Sequence, residues 1–217
     1  MKLVVLGASG GCGRELVKQA AARGHSVTAV GRGSSRLEVP AGLRALRGSL
    51  DDEGFLREVI RGADAVLSAL GLRLPGIAPW NRPEDPAFLD RSTAAIVRAM
   101  KAEGVSRAVV ISAGGAGDSH GEMPAGFKWF MRMSALRHVY PALDRMERAW
   151  LESGLDVCIP RPTGLTDEPA TGRAKAVARV VGRATIPRAD VAAWMLDALA
   201  APRFEARTPL LTVTGAP

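Results

Sequence analysis

The chain has little of what several function classes require. Only two of its 217 residues are cysteine and three are histidine, and a single tyrosine accompanies five phenylalanines and four tryptophans. Cys12 lies in a glycine-rich stretch and Cys158 in an apolar run, so no disulfide is expected and a reducing, cytoplasmic setting suits this usage. His25, His120 and His138 have no ligand spacing to one another or to the cysteines, so no metal is expected. No apolar run is long enough to span a bilayer, and residues 1–6 lack the basic, apolar and small-residue succession of a secretory signal. A membrane partner is therefore not expected. The net charge is +7, yet basic and acidic residues are interspersed, and the scarce aromatics offer little for base stacking, which argues against nucleic acid. A positive surface also suits anionic small molecules through electrostatic steering.

What is present is an ordinary globular composition, 47% apolar and 24% charged, of a length that fits one domain. Apolar runs of strand length at 2–6, 26–30, 44–47, 65–68, 107–111 and 155–159 alternate with helical periods at 14–23, near 52–61, 86–103 and 141–152, and at 189–200. Such alternation predicts an α/β fold, a doubly wound parallel sheet in a single domain, with a small C-terminal elaboration on the substrate side. The long connections 72–85, 113–137 and 160–175 follow strand ends, where ligands of open parallel sheets bind. They are expected to form the substrate side, and the apolar stretch FKWFMRMSAL at 127–136 is expected as a pocket wall or lid, with a core helix as the alternative. Asp190, Trp194 and Asp197, on the last helix, are expected to be structural.

The stretch GASGGCG, residues 7–13, fits two patterns. Gly7-x-x-Gly10-x-x-Gly13 is a dinucleotide loop, and Gly7-x-Ser9-x-Gly11 is the turn that presents a hydrolase serine. Its place between the first strand and first helix favours the dinucleotide, whose pyrophosphate would meet a helix N-terminus. The hydrolase reading also needs a later acid and histidine, for which only His120 and His138 remain. At the end of the second strand, Val30 and Gly31 are followed by Arg32, Ser34, Ser35 and Arg36 rather than by an acid. A guanidinium and hydroxyls there match a 2′-phosphate and predict NADP(H) over NAD(H), unless the segment is a solvated basic turn.

Taken together, LGASGGCGRELV, VGRGSSRL, DAVLSALG, KAEGVSRAVVISA and MERAWLESGLDVCIPRPTGLTDEPATG resemble the atypical short-chain dehydrogenase/reductases of the NAD(P)H-binding, NmrA-like type. Within that family the similarity is greatest to its biliverdin-IXβ reductase/flavin reductase branch. The resemblance spans nearly the whole chain. It implies a Rossmann-type sheet and a cofactor site formed by Gly7, Ser9, Gly10, Gly11, Cys12, Gly13, Arg32, Ser35, Arg36, Ser49, Leu50, Ala69, Leu70, Gly71, Ser112, Ala113 and Pro160. Ser112 is implied as a polar orienting group at the reacting centre, its alternative being a turn hydroxyl. Trp129, Met131, Met133 and Glu147 are expected on the substrate side, with Glu147 alternatively facing solvent.

One departure bears on mechanism. Many short-chain dehydrogenases protonate a carbonyl with a Tyr-x-x-x-Lys pair. Here the only tyrosine, Tyr140, is followed four residues on by Asp144, and Pro141 predicts that Tyr140 precedes the helix. The expected activity is therefore NADPH-dependent reduction of a conjugated acceptor such as a flavin, quinone or linear tetrapyrrole, which can take its proton from water. A non-catalytic NADP(H) redox sensor acting through a protein partner is the alternative, and a sugar-nucleotide or isoflavone-type reductase is disfavoured by the short C-terminal part. A monomer or homodimer is expected.

Overall fold

The computed structural model describes residues 1–31 and 43–214. Six parallel strands form the central sheet: β1 (Lys2–Leu6), β2 (Ser26–Val30), β3 (Leu43–Leu46), β4 (Ala65–Ser68), β5 (Arg107–Val110) and β6 (Asp156–Cys158), in spatial order β3-β2-β1-β4-β5-β6. The order reverses on either side of β1, so the strand ends splay apart there and leave a crevice at their carboxyl edge.

Side-chain alternation explains why these strands read as continuous apolar runs. Leu3 and Val5 of β1 face one way, into a core shared with Leu16, Val17 and Ala20 of α1 (Gly11–Ala22) and with Val191, Met195 and Leu199 of α6 (Arg188–Ala200). Val4 and Leu6 face the other way, onto α2 (Glu53–Ile60), α3 (Phe88–Ala102) and α5 (Tyr140–Leu151), where Leu56, Ile60, Leu89, Ile96, Met146 and Trp150 are almost wholly buried. With both faces covered, neither set of positions can be polar.

Helix boundaries follow local chemistry. Asp52 caps α2 by accepting a hydrogen bond from the Phe55 amide at 3.1 Å. Helix α1 begins at Gly11, three residues ahead of the period-based expectation, because the glycine loop runs directly into helix. The expectation that Tyr140 precedes α5 is corrected: Tyr140 is its first residue, with Pro141 in the first turn. Its phenol donates a hydrogen bond to the Gly114 carbonyl at 2.9 Å, which anchors the residue despite the following proline.

Beyond β6 the chain forms the small C-terminal elaboration. Here β7 (Arg161–Pro162) pairs with β11 (Leu210–Thr212), which also pairs with β9 (Lys175–Val177), while β8 (Gly164–Thr166) pairs with β10 (Thr185–Pro187). Asp190, buried in the first turn of α6, accepts hydrogen bonds from the Thr171 and Gly172 amides and from the Thr171 hydroxyl. Those bonds fasten the 167–173 loop to the helix. The 113–137 connection is not open loop: it contains α4 (Ala125–Met133) and the short 3-10 turn Gly117–His120.

Candidate active site

The glycine stretch is shaped by what a side chain would strike. Gly7 has φ +78°, and a Cβ there would lie 2.6 Å from the Ala69 carbonyl oxygen. A Cβ on Gly13 would overlap the Gly7 carbonyl oxygen, so the first turn of α1 packs directly on the loop. The amides of Gly7 and Ala8 both donate to the Val30 carbonyl, at 2.9 and 3.0 Å, which fixes the loop between the ends of β1 and β2. The unpaired amides of the α1 N-terminus thus sit beside the crevice, where they favour an anion.

That crevice is a cleft of about 560 Å³. Gly7, Ser9, Gly10, Gly11 and Cys12 line it from the glycine loop, Ser49 and Leu50 from beyond β3, Ala69, Leu70 and Gly71 from beyond β4, and Ser112 from beyond β5. The fold thus brings together eleven of the residues singled out in the sequence. Gly13 lies behind the loop, and Pro160 supports the wall by accepting a hydrogen bond from the Ser112 amide at 2.9 Å. Neither they nor Ala113 line the cleft. Arg32, Ser35 and Arg36 lie outside the described residues, although Gly31, the residue before them, lines the cleft.

Four expected substrate-side residues are elsewhere. Glu147 faces neither cleft nor solvent: it is buried and accepts hydrogen bonds from Arg161, at 2.6 Å from Nη2 and 3.1 Å from Nε. Arg161 is equally buried and also pairs with Asp118, so the carboxylate is held as the partner of an interior cation. Burial alone would lower the Arg161 pKa, but the Glu147 and Asp118 carboxylates outweigh it and raise it. Met131 of α4 packs inward beside Phe127, Gly115 and Tyr140, whereas Trp129 and Met133 point outward, 66% and 54% exposed. None of the three lines the cleft.

Leu72, Arg73 and Leu165, from connections expected to form the substrate side, also line the cleft, whereas Gly48, Phe88, Ile111, Val139, Leu143 and Arg188 were not singled out as lining residues. Most of them make an apolar wall. Arg188, the first residue of α6, lies across the glycine loop: a Cβ on Gly11 would come 2.5 Å from its Cδ and 2.6 Å from its Nε. Its Nη1 pairs with Asp167 at 2.8 Å, and that carboxylate is 85% exposed. The available signal was an arginine opening a helix directly after the Pro187 strand end.

The chemistry of the lining is narrow. Its hydroxyls are Ser9, Ser49 and Ser112, its thiol Cys12, and its charged groups Arg73 and Arg188. Among the described residues, no carboxyl, imidazole, phenol or ammonium group lines the cleft. Burial pushes the Cys12 thiol up to about 11, against the lowering pull of Arg188, so it stays protonated near neutral pH. The Ser112 hydroxyl is buried against the cleft without a hydrogen-bond partner. Burial, with Asp144 adding to it, raises the Tyr140 phenol far above its ordinary range, and Tyr140 does not line the cleft. No histidine reaches Ser9 either: His25 Nδ1 sits 3.3 Å from the amino terminus, His120 borders a separate hollow with Tyr140 and Asp144, and the ring nitrogens of His138 contact Arg82 and Arg137. The hydrolase reading of the loop therefore lacks its base.

Comparison with known proteins agrees with this geometry. A family model described as NAD(P)H-binding matches residues 7–202. Among solved structures, ChuY of Escherichia coli O157:H7, named an anaerobillin reductase, is 23% identical with a TM-score of 0.80, covering 100% of this chain and 99% of its own. A short-chain dehydrogenase/reductase from Veillonella parvula, solved in complex with NADP, is 19% identical with a TM-score of 0.77, covering 100% and 98%. The oxidoreductase ylbE of Lactococcus lactis is 20% identical with a TM-score of 0.77, covering 97% and 90%. These likenesses establish a shared Rossmann-type fold. Matched over most of its length by that one model, and carrying the glycine loop at the head of the cleft, the chain belongs to the NAD(P)H-binding family.

Proposed function

We propose that the protein is an NADPH-dependent reductase that passes hydride to a conjugated small molecule such as a flavin, a quinone or a linear tetrapyrrole. The observation that carries this reading is a cleft with a glycine-loop floor, an apolar wall and, among the described residues, no acid in its lining. The reductase name of the E. coli relative points the same way.

When bound, the cofactor supplies a hydride from its nicotinamide. The chain's own groups do the rest. The 7–13 loop and the α1 amides would receive the pyrophosphate, and Arg188 would exchange the exposed Asp167 for phosphate oxygens. Arg32, Ser35 and Arg36 would receive the 2′-phosphate and set the preference for NADP(H). Ala69 to Gly71 would flank the nicotinamide, Pro160 would back that wall through its bond from the Ser112 amide, and the Ser112 hydroxyl would orient the ring. Leu72, Phe88, Val139, Leu143 and Leu165 would press the acceptor against it and exclude water. Because no described lining group is an acid near neutral pH, the acceptor would delocalise the added electrons and draw its proton from solvent.

The test mixes the protein with NADPH and FMN, a soluble quinone or a linear tetrapyrrole and follows loss of reduced-nicotinamide absorbance. Turnover with at least one acceptor, and roughly tenfold slower turnover with NADH, is expected. Binding of NADPH without oxidation by any acceptor would overturn the reductase and leave the redox sensor. Ser112→Ala should lower kcat about tenfold with little change in KM for NADPH, as loss of an orienting hydrogen bond requires.

A further inference from the structure

Five of the eight large apolar side chains exposed among the described residues belong to two neighbouring stretches: Ile77 and Trp80 before α3, and Trp129, Phe130 and Met133 on α4. The first stretch is tied to the residues that directly follow α4. The Ala135 amide donates to the Ile77 carbonyl at 3.0 Å, Arg137 Nη2 donates to the Pro79 carbonyl at 2.7 Å, and Arg82 contacts His138 at 3.4 Å. Helix α4 is therefore apolar on two sides. Phe127 and Met131 face the interior, while positions 126, 129, 130 and 133 form an outward stripe at helical spacing. An exposed apolar stripe on the outer side of a helix whose inner side is already buried normally meets a second apolar phase.

The charges beside that stripe have one sign. Lys128, Arg132 and Arg137 lie on or just beyond α4 and Arg82 on the partner stretch, whereas residues 72–83 and 123–143 contain no Asp or Glu. A symmetric contact between two copies would set these cations against each other, so self-association is disfavoured. An anionic partner is favoured instead. Two tryptophans, 79% and 66% exposed, flanked by basic side chains, are the composition that settles at the boundary between headgroups and acyl chains.

We infer that this face docks the protein on an anionic lipid bilayer, lying on the surface without spanning it. No helix among the described residues is long and apolar enough to cross a membrane. Leu72 and Arg73, before Ile77, and Val139, after Met133, line the cleft, so cleft and docked face draw on the same two segments of chain. The inference stands apart from the proposed reduction and does not need it.

The experiment is co-sedimentation of the whole protein with phosphatidylcholine vesicles, with and without about one-third phosphatidylglycerol. Sedimentation with the anionic vesicles, weakened by salt, is expected. Lys128→Gln with Arg132→Gln should lower partitioning roughly thirtyfold, and Trp80→Ser with Trp129→Ser at least tenfold, with circular dichroism and Tm showing both variants folded. The inference is overturned by no vesicle binding, by equal binding to neutral vesicles, or by binding that survives both variants. It is equally overturned if the patch instead mediates a dimer, seen by light scattering and lost in the tryptophan variant, while vesicles are ignored.

Discussion

At the scale of single residues, the glycine loop gains a second explanation. Gly7 lacks a side chain because its φ is positive and the Ala69 carbonyl closes on it, Gly13 because α1 packs on the loop, and Gly11 because Arg188 crosses it. A reason for Gly7 and Gly13 was legible in the sequence but not the Arg188 contact at Gly11, since the arginine arrives from 177 residues further along the chain. If Arg188 grips the pyrophosphate, Arg188→Met should weaken NADP and NAD alike, by about tenfold in calorimetry. A variant at Arg32 should instead affect NADP alone, and an Arg188 effect confined to NADP would contradict the assignment. Glu147 shows the opposite limit of legibility. Its helical position was evident, but its burial depends on Arg161, fourteen residues away on another element. Glu147→Ala should cost about 3–5 kcal/mol in chemical denaturation, because it leaves a buried guanidinium with only the exposed Asp118. A cost below about 1 kcal/mol would mean that the pair is solvated.

At the scale of elements, strands were the most legible feature and connections the least. A strand buried on both faces must be apolar throughout, and β1, β2 and β4 were readable to the residue on that basis. Helix α4 was not, because its inner pair, Phe127 and Met131, and its outer stripe are equally apolar, and composition cannot say which side the core takes. The loop at 167–173 is fastened to α6 mainly by one buried carboxylate, Asp190, with three donors gathered on it, beside the exposed Asp167–Arg188 pair. Asp190→Ala should lower stability by about 2–3 kcal/mol and expose that loop to limited proteolysis near Arg173. Unchanged protease resistance would show that the short strand pairs alone hold the loop.

At the scale of the molecule, three interior groups share one pH dependence. Burial raises the Cys12 thiol from its ordinary 9.0 to about 11 and the Cys158 thiol to about 12, and it raises the Tyr140 phenol as well. The folded state then holds protons that the unfolded chain releases above pH 9, so stability should be level below that pH as far as these groups are concerned and fall through the range from 9 to 12. A Tm that rises across that range would contradict the burial. The net charge of +7 should also speed capture of an anionic cofactor, so association should slow with added salt more than dissociation changes. The account depends above all on a dinucleotide seated against the glycine loop, and calorimetric titration of the full chain with NADPH tests this directly. One-to-one binding is predicted, competed by NADP and abolished by a bulky Gly7→Val substitution that leaves the protein folded. No heat of binding to the unaltered protein, or binding that Gly7→Val leaves intact, would contradict it.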